Sequence, residues 1–179
     1  MEELAAVKAS QTGDKTAFGM LIDQYYKSIY RYAFQYTGNH QDADDICQET
    51  FLRAFDSINQ LKDGNRFKGW IFTIASNISR GKIKDKIHKS DFLNCSRILY
   101  ENNDADEPLQ KLSGKERAAV IHNQLQEMPE RLRIITTLVI IEDFKQKDVS
   151  KILNCSEPSV SRDLENARNW LRIRLRHLI

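Results

Sequence analysis

The stretch from Asp42 to Ile78 constrains the fold more than any other part of the sequence. Apolar residues recur in it at intervals of three and four, which is the spacing of a helix that buries one face. The polar segment Leu61–Arg66, which contains Gly64, interrupts the pattern once. The sequence therefore predicts two helices joined by a short loop. Their predicted buried residues are Ala43, Ile46, Cys47, Thr50, Phe51, Ala54 and Phe55 in the first, and Phe67, Trp70, Ile71, Ile74 and Ile78 in the second.

The opposite face of the first predicted helix is mainly acidic and carries one leucine. Such a surface is unusual for a free monomer, but it suits docking to a basic helix of a partner. Asp42 also stands where an N-cap is expected. The residues of this face are Asp42, Asp45, Gln48, Glu49, Leu52, Arg53 and Asp56.

Charge is sorted into blocks along the chain, although the formal net charge is only +2. Between Leu61 and Ser90 there are eight basic and two acidic residues, whereas Glu101–Glu107 holds four acidic residues and no basic one. Blocks of opposite sign indicate separate surfaces for separate partners. The basic block includes Lys82 and Lys84 on the second predicted helix and predicts phosphate contacts there.

The C-terminal part predicts a helix-turn-helix, formed by Lys145–Leu153, a turn at Asn154–Ser156, and Glu157–Arg176. Ser156 is expected to cap the second helix, with Pro158 in its first turn. The N-terminal residues of a recognition helix contact base edges in the major groove. Arginine can pair with guanine there, and glutamate can accept from cytosine. The outward residues are Glu157, Ser159, Ser161, Arg162, Glu165 and Asn166, followed by Arg168, Arg172, Arg174 and Arg176 as predicted phosphate contacts.

Ahead of this motif, Glu130–Ile141 is mostly apolar and is expected to be the most buried helix. The chain has only 7 Gly and 3 Pro, which argues against an all-β fold with its many turns. We therefore predict an all-α protein with two small helical domains, residues 1–90 and 114–179, joined by a flexible acidic linker at 91–113. Three cysteines and four histidines show no metal-ligand spacing, so neither a metal nor a cofactor is expected.

The segments DADDICQETFLRAF and FKGWIFTIASN resemble the second conserved region of bacterial sigma factors, in particular the extracytoplasmic-function class. The C-terminal helix-turn-helix and the preceding segment MPERLR resemble the fourth region of the same family. The resemblance implies that the acidic helix binds the β′ clamp helices of core RNA polymerase. It also implies that the helix-turn-helix binds the "−35" promoter element as duplex DNA.

For the "−10" element, the resemblance implies capture of single-stranded DNA by the loop and the following helix. From the residues alone, Leu61–Arg66 is more simply a plain connector, and Trp70 belongs to the core. The resemblance instead makes the loop a pocket for a flipped base. Gly81 is expected to interrupt the helix, and this departs from the arginine pair common in the family. The predicted "−10" residues are Lys62, Gly64, Asn65, Asn77, Arg80, Lys82 and Lys84.

The implied function is that of a sigma factor that directs initiation and catalyses no bond chemistry. Its expected partners are core RNA polymerase, through the β′ clamp helices and the β flap, promoter DNA, and an anti-sigma factor; no small-molecule substrate is expected. A stand-alone helix-turn-helix regulator is the alternative, but it leaves the acidic face unexplained. A cytoplasmic location is expected, since no signal peptide is evident and Cys47, Cys95 and Cys155 suit reduced thiols.

Overall fold

The structure is a computed structural model that describes the backbone of residues 2–90 and 124–176, with side chains over the same ranges except 83–90. Every regular element in these ranges is helical, and none of their residues lies in a strand. The all-α prediction is therefore confirmed. The predicted linker, Cys95 and the side chain of Lys84 lie outside the described residues.

The helices follow the predicted order along the chain. Single turns of 3₁₀ helix at Ile58–Gln60 and Gly64–Arg66 separate the third helix from the fourth, and a π-helical turn at Thr137–Ile141 extends the fifth. The α-helices are α1 (Glu3–Gln11), α2 (Lys15–Thr37), α3 (His40–Ser57), α4 (Phe67–Ser90), α5 (Glu130–Thr136), α6 (Gln146–Ile152) and α7 (Glu157–Leu175).

Local capping fixes where several helices begin and end. The Asp14 carboxylate accepts from two backbone amides of the first turn of α2, and α2 ends at Gly38 with a left-handed φ of 63°. The predicted cap at Asp42 is wrong: the Asn39 side chain accepts from the Asp42 amide, so α3 begins earlier. Ser156 does precede α7, but its side chain makes no capping hydrogen bond.

Two further expectations for the first half are corrected. Helix α4 runs through Gly81 without interruption, because glycine can adopt helical geometry at a cost of only about 1 kcal/mol relative to alanine. Phe55 is 38% exposed rather than buried. Its ring packs edge-on against Phe18 at a centroid distance of 5.1 Å, which leaves its other side in solvent.

The apolar helix predicted for Glu130–Ile141 is not buried throughout. Leu138 is buried, but Ile140 and Ile141 are 52% and 39% exposed. The reason is the π-helical turn, in which the Glu142 amide donates to the Thr137 carbonyl at 2.9 Å. This wider turn directs the two isoleucines to solvent and carries Glu142 inward, where it is 5% exposed.

The two halves of the chain pack against each other. Their buried apolar side chains form one continuous cluster, which includes Tyr32 and Phe72 from the first half and Ile135 and Val149 from the second. Helix α4 lies against α6, the first helix of the helix-turn-helix. The two predicted DNA-binding parts are therefore in direct contact in this conformation.

Candidate nucleic-acid and protein interfaces

Helix α3 presents its predicted acidic face to solvent. Asp45 and Gln48 are exposed, and Leu52 is 66% exposed, an unusually open position for a leucine. Arg53 pairs with Glu49 at 2.5 Å within the same helix, which offsets part of the negative charge. The face thus combines an apolar side chain with carboxylates, which suits a partner surface that is both apolar and basic.

The loop before α4 is tightly organised. The Asp63 carboxylate accepts from both the backbone and the side-chain amide of Asn65 at 3.1 Å. At Gly64 a Cβ atom would lie 2.6 Å from Leu4 Cδ1, so a larger residue would require the Leu4 side chain or the loop to shift. Lys62 is exposed beside it. The predicted "−10" loop residues therefore share one rigid turn.

Helix α1 holds this loop in place, a role that the sequence did not reveal. The Gln11 side-chain amide donates to the carbonyl oxygens of Ile58 and Leu61 at 3.0 and 2.8 Å. Val7 is fully buried and also lies against the Gly64 position. The pattern in α1 is too short to define a face, and nothing in the sequence points from Gln11 to carbonyl groups some 50 residues away.

On α4, the predicted base-contacting Asn77 is exposed and lies next to Arg80. The Arg80 guanidinium donates to the Asn77 side-chain oxygen at 2.6 Å and to the Leu153 carbonyl oxygen at 3.0 Å. Lys82 pairs with Asp45 of α3 at 3.0 Å. Two predicted phosphate contacts are thus engaged within the protein in this conformation.

The recognition helix α7 presents nearly all of its predicted contacts outward. A groove with a volume of about 350 Å³ runs between α7 and the start of α6. The groove gathers four of the predicted "−35" residues, together with three that were not predicted. Its lining residues are Gln146, Ser161, Leu164, Glu165, Arg168, Asn169 and Arg172. Glu157, Arg162 and Asn166 are also exposed, whereas Ser159 is half-buried.

An ion pair that the sequence did not predict holds the start of α7. Arg131 of α5 donates to the Asp163 carboxylate at 2.6 Å and to the Ser159 hydroxyl at 2.9 Å. Asp163 is only 8% exposed although it lies on the recognition helix. Its hydrogen bond raises the pKa of the Arg131 guanidinium. Ser159 is therefore a structural contact in this conformation as well as a predicted DNA contact.

Neither a metal-binding cluster nor a membrane-spanning helix is found in the described part of the chain. No group of His, Cys, Asp and Glu residues within it could hold a metal ion. None of its helices is both long and apolar enough to cross a membrane.

Two family models match the chain in the order that the sequence motifs suggested. Sigma-70 region 2 matches residues 21–90, and Sigma-70, region 4 matches residues 118–171. Together they account for more than half of the chain. The first covers α3, the loop and α4, and the second covers the helix-turn-helix.

Similar proteins span the same length. The chain is 27% identical to the ECF RNA polymerase sigma factor SigW of Bacillus subtilis (strain 168), over 96% of each chain. It is 24% identical to the ECF RNA polymerase sigma-E factor of Haemophilus influenzae, over 100% of this chain and 98% of the relative.

Solved structures share the fold. RpoE of Bartonella quintana, solved with the anti-sigma factor NepR, aligns at a TM-score of 0.69 and 20% identity over 89% of this chain and 96% of its own. CnrH, solved with the cytosolic domain of CnrY, aligns at 0.66 and 20% identity over 97% and 96%.

Proposed function

The chain belongs to the sigma-70 family, as an RNA polymerase sigma factor of the extracytoplasmic-function group, and from that premise we propose how its surfaces recognise polymerase and promoter. We assign residues 1–90 and 114–179 to two functional units joined by residues 91–113. The first unit binds core polymerase and the "−10" element, and the second binds the "−35" element. The protein acts by binding and catalyses no bond chemistry.

Core polymerase binds the outward face of α3. Leu52, 66% exposed, supplies an apolar anchor, and Asp45, Gln48 and Glu49 surround it with acidic and polar groups. A charged rim around a small apolar centre is the usual anatomy of a protein interface. The complementary surface is the basic and apolar face of the β′ clamp helices, while the β flap contacts the second unit.

The loop Leu61–Arg66 and helix α4 bind the melted "−10" strand. The rigid turn at Asp63–Asn65 supports this assignment, because a flipped base needs a preformed pocket to recover the few kcal/mol lost on unstacking. Asn77 supplies amide donors and an acceptor for a second base edge. Asn65 and Lys62 hold the flipped base, and Arg80, Lys82 and Lys84 contact phosphates once the strand is bound.

The exposed start of α7 enters the major groove of the "−35" element. Arg162 and Glu165 contact base edges, and Arg168 and Arg172 contact phosphates, with Glu157, Ser161 and Asn166 completing the surface. Ser161, Glu165 and both arginines line the groove between α6 and α7 and so lie on one side of the motif. This arrangement favours contacts with one strand of the duplex and with the edges of its bases.

The observation that carries this proposal is the exposed, leucine-bearing acidic face of α3 in the same chain as a helix-turn-helix. A stand-alone DNA-binding regulator would have no use for such a face. Run-off transcription with purified core polymerase tests the proposal: the chain should confine initiation to specific promoters. No initiation above that of core polymerase alone, together with no co-purification with it, would refute it.

An anti-sigma factor is the remaining proposed partner, and it would act in the cytoplasm, either free or at the inner face of the membrane. RpoE of Bartonella quintana was solved with the anti-sigma factor NepR, and CnrH was solved with the cytosolic domain of CnrY. A binder that covers α3 or α4 of this chain would block polymerase or promoter. Affinity purification from cells of the source organism, with and without Leu52→Ala, would identify a partner that uses this face.

A further inference from the structure

One half-buried side chain of α1 binds the backbone at the start of the "−10" loop. The Gln11 amide nitrogen donates to the carbonyl oxygens of Ile58 and Leu61 at 3.0 and 2.8 Å, so both of its hydrogens are used. The Leu61 amide in turn donates to the Ile58 carbonyl oxygen at 3.1 Å and closes the 3₁₀ turn that leads into the loop. Gln11 therefore bridges the two ends of that turn.

The same helix forms the wall behind the middle of the loop. A Cβ atom at Gly64 would lie 2.6 Å from Leu4 Cδ1 and 3.3 Å from Val7 Cγ1, and Val7 itself is fully buried. Glycine permits this close approach of the loop backbone to α1 because it has no side chain. The position of α1 thus decides how far inward the loop can lie.

Helix α1 is itself fixed to α2. The Glu3 carboxylate accepts hydrogen bonds from the Tyr25 hydroxyl and from the Gln24 side-chain amide, the latter at 3.1 Å. The Tyr25 ring packs against that of Phe67, the first residue of α4, at a centroid distance of 5.5 Å. The loop is therefore held before and after its polar segment.

These inward contacts leave the polar side chains of the loop in solvent. Lys62, Asp63 and Asn65 are exposed, whereas Leu61 is buried. The Asp63 carboxylate can only accept, so the nitrogen of the Asn65 side-chain amide, and not its oxygen, must face it at 3.1 Å. The loop thus presents Asn65 in one defined orientation.

We propose that α1 is a positioning element for the flipped base, and that Gln11 sets the base preference of the "−10" site through the loop backbone, without touching DNA. The inference rests on the proposed function, since it concerns the pocket of the same loop. A preformed pocket binds more tightly, because a mobile loop is competent to bind for only a fraction of the time. A fixed pocket also discriminates, because the wrong base leaves its polar groups unpaired.

An abasic scan of the melted strand locates the flipped base. Holoenzyme reconstituted from core polymerase and the full chain is titrated with fork-junction DNA, built on a promoter found by run-off transcription, that carries one abasic site at successive "−10" positions. The pocket base is the one whose removal weakens wild-type binding most and weakens Asn65→Ala binding least. All four bases are then placed at that position, and the ratios of their affinities are measured.

Gln11→Met is the main variant, because it keeps the length of the side chain and removes both donors. We expect it to lower the affinity for the preferred base about tenfold, the effect of losing two ordinary hydrogen bonds, and to shrink the ratios among the four bases. Gln11→Lys retains donors and should keep most of the preference. Gln24→Met is the matched control, since it removes an amide that binds α1 and not the loop. On DNA that is abasic at the pocket position, Gln11→Met and the wild type should bind about equally.

A second pair of variants tests the wall formed by α1. Gly64→Ala should shrink the same ratios, because its Cβ atom meets the Leu4 side chain. Adding Leu4→Ala should restore part of the preference, because it removes the atom in closest contact. If Gln11→Met does not fold, as judged by circular dichroism, this pair decides the question.

The ratios among bases separate positioning from a merely structural role. Loss of a structural contact would lower the free energy of unfolding in urea, or the affinity for all DNA alike, and leave those ratios unchanged. Unchanged ratios in Gln11→Met would therefore overturn the proposal while the scan still upheld base capture by the loop. A flat scan in the wild type would instead refute base capture, and with it both the proposed "−10" function and the role of α1.

Discussion

The Asn77 side-chain oxygen accepts a hydrogen bond from the Arg80 guanidinium at 2.6 Å. One lone pair of the amide is therefore occupied, while both N–H donors remain available. If Arg80 keeps this contact when DNA binds, Asn77 presents mainly donors to the melted strand. We therefore expect it to favour base edges that offer acceptors.

Replacing Asn77 by alanine should weaken open-complex formation roughly tenfold, the loss expected for one base contact of about 1–3 kcal/mol. Duplex binding at the upstream element should remain intact, because that element is bound by the other half. Permanganate footprinting and gel-shift assays measure the two steps. Asn77→Asp keeps the acceptor oxygen but replaces the donor amide nitrogen by a second oxygen, so wild-type activity of that variant would contradict the donor role.

Replacing Arg162 by alanine should cost roughly 1–3 kcal/mol at one base pair and relax the preference at that position. Arg162 is exposed on the first turns of α7, where side chains reach base edges. Arg168→Ala is the comparison, since the loss of a phosphate contact should weaken binding to all sequences about equally and lower the salt dependence of binding. Competition binding with a library of upstream elements measures both. An unaltered base preference would move Arg162 to the phosphate contacts.

Replacing Leu52 by alanine should reduce affinity for core polymerase by about 1 kcal/mol or more, as expected for an apolar anchor at an interface. Its effect on folding should stay within about 0.5 kcal/mol, because the side chain is 66% exposed. Met20→Ala, at a residue 39% exposed on α2 and outside every proposed binding surface, is the matched control. Equal affinities of the two variants, measured by fluorescence anisotropy, would place the docking surface elsewhere.

The helices and their order could be predicted because they depend on local signals. Asp14 and Gly38 act within a few residues of their own position, and the apolar spacing in α3 identifies its outward face directly. The local signal at the start of α3 was misleading. Asp42 is a residue type that caps helices, but the backbone geometry makes Asn39 the cap of α3.

The contacts between distant segments could not be predicted, because no local pattern encodes them. Glu142 follows an apolar run in the sequence, so the π-helical turn that carries it inward is invisible there. Arginine is a residue type that commonly contacts phosphates, so the sequence predicts that role for Arg80. Its hydrogen bond to the Leu153 carbonyl oxygen depends instead on how the two halves pack. The roles of the proposed site residues remain predictions, which the variants of Asn77, Arg162 and Leu52 test.

The pH dependence of stability should reveal the buried thiol of Cys47. Burial, reinforced by the nearby Asp44 carboxylate, raises the pKa of Cys47 from 9.0 to about 12. The folded state therefore favours the protonated thiol. The contribution of this thiol to the free energy of unfolding is complete below about pH 9 and is lost as the pH rises toward 12. The free energy of unfolding of the wild type should fall as the pH is raised above 9, and that of the Cys47→Ala variant should fall less steeply. Urea unfolding from pH 7 to 10 measures both slopes, each referred to its own value at pH 7. Identical slopes would assign the loss to other groups.

Replacing Arg131 by alanine should destabilise the fold by about 1–2 kcal/mol, because it leaves the Asp163 carboxylate buried without its partner. The Arg131 side chain is 56% exposed, so solvent screening keeps the loss below that of a fully buried pair. Lys151→Ala, which breaks an exposed pair with Asp148 at 3.8 Å, should cost less than about 0.5 kcal/mol. Adding Asp163→Asn to Arg131→Ala should recover part of the loss, since the unpaired charge is then removed. Urea unfolding measures the wild type and all three variants at pH 7. If Arg131→Ala cost no more than Lys151→Ala, the start of the recognition helix would be held by apolar packing alone.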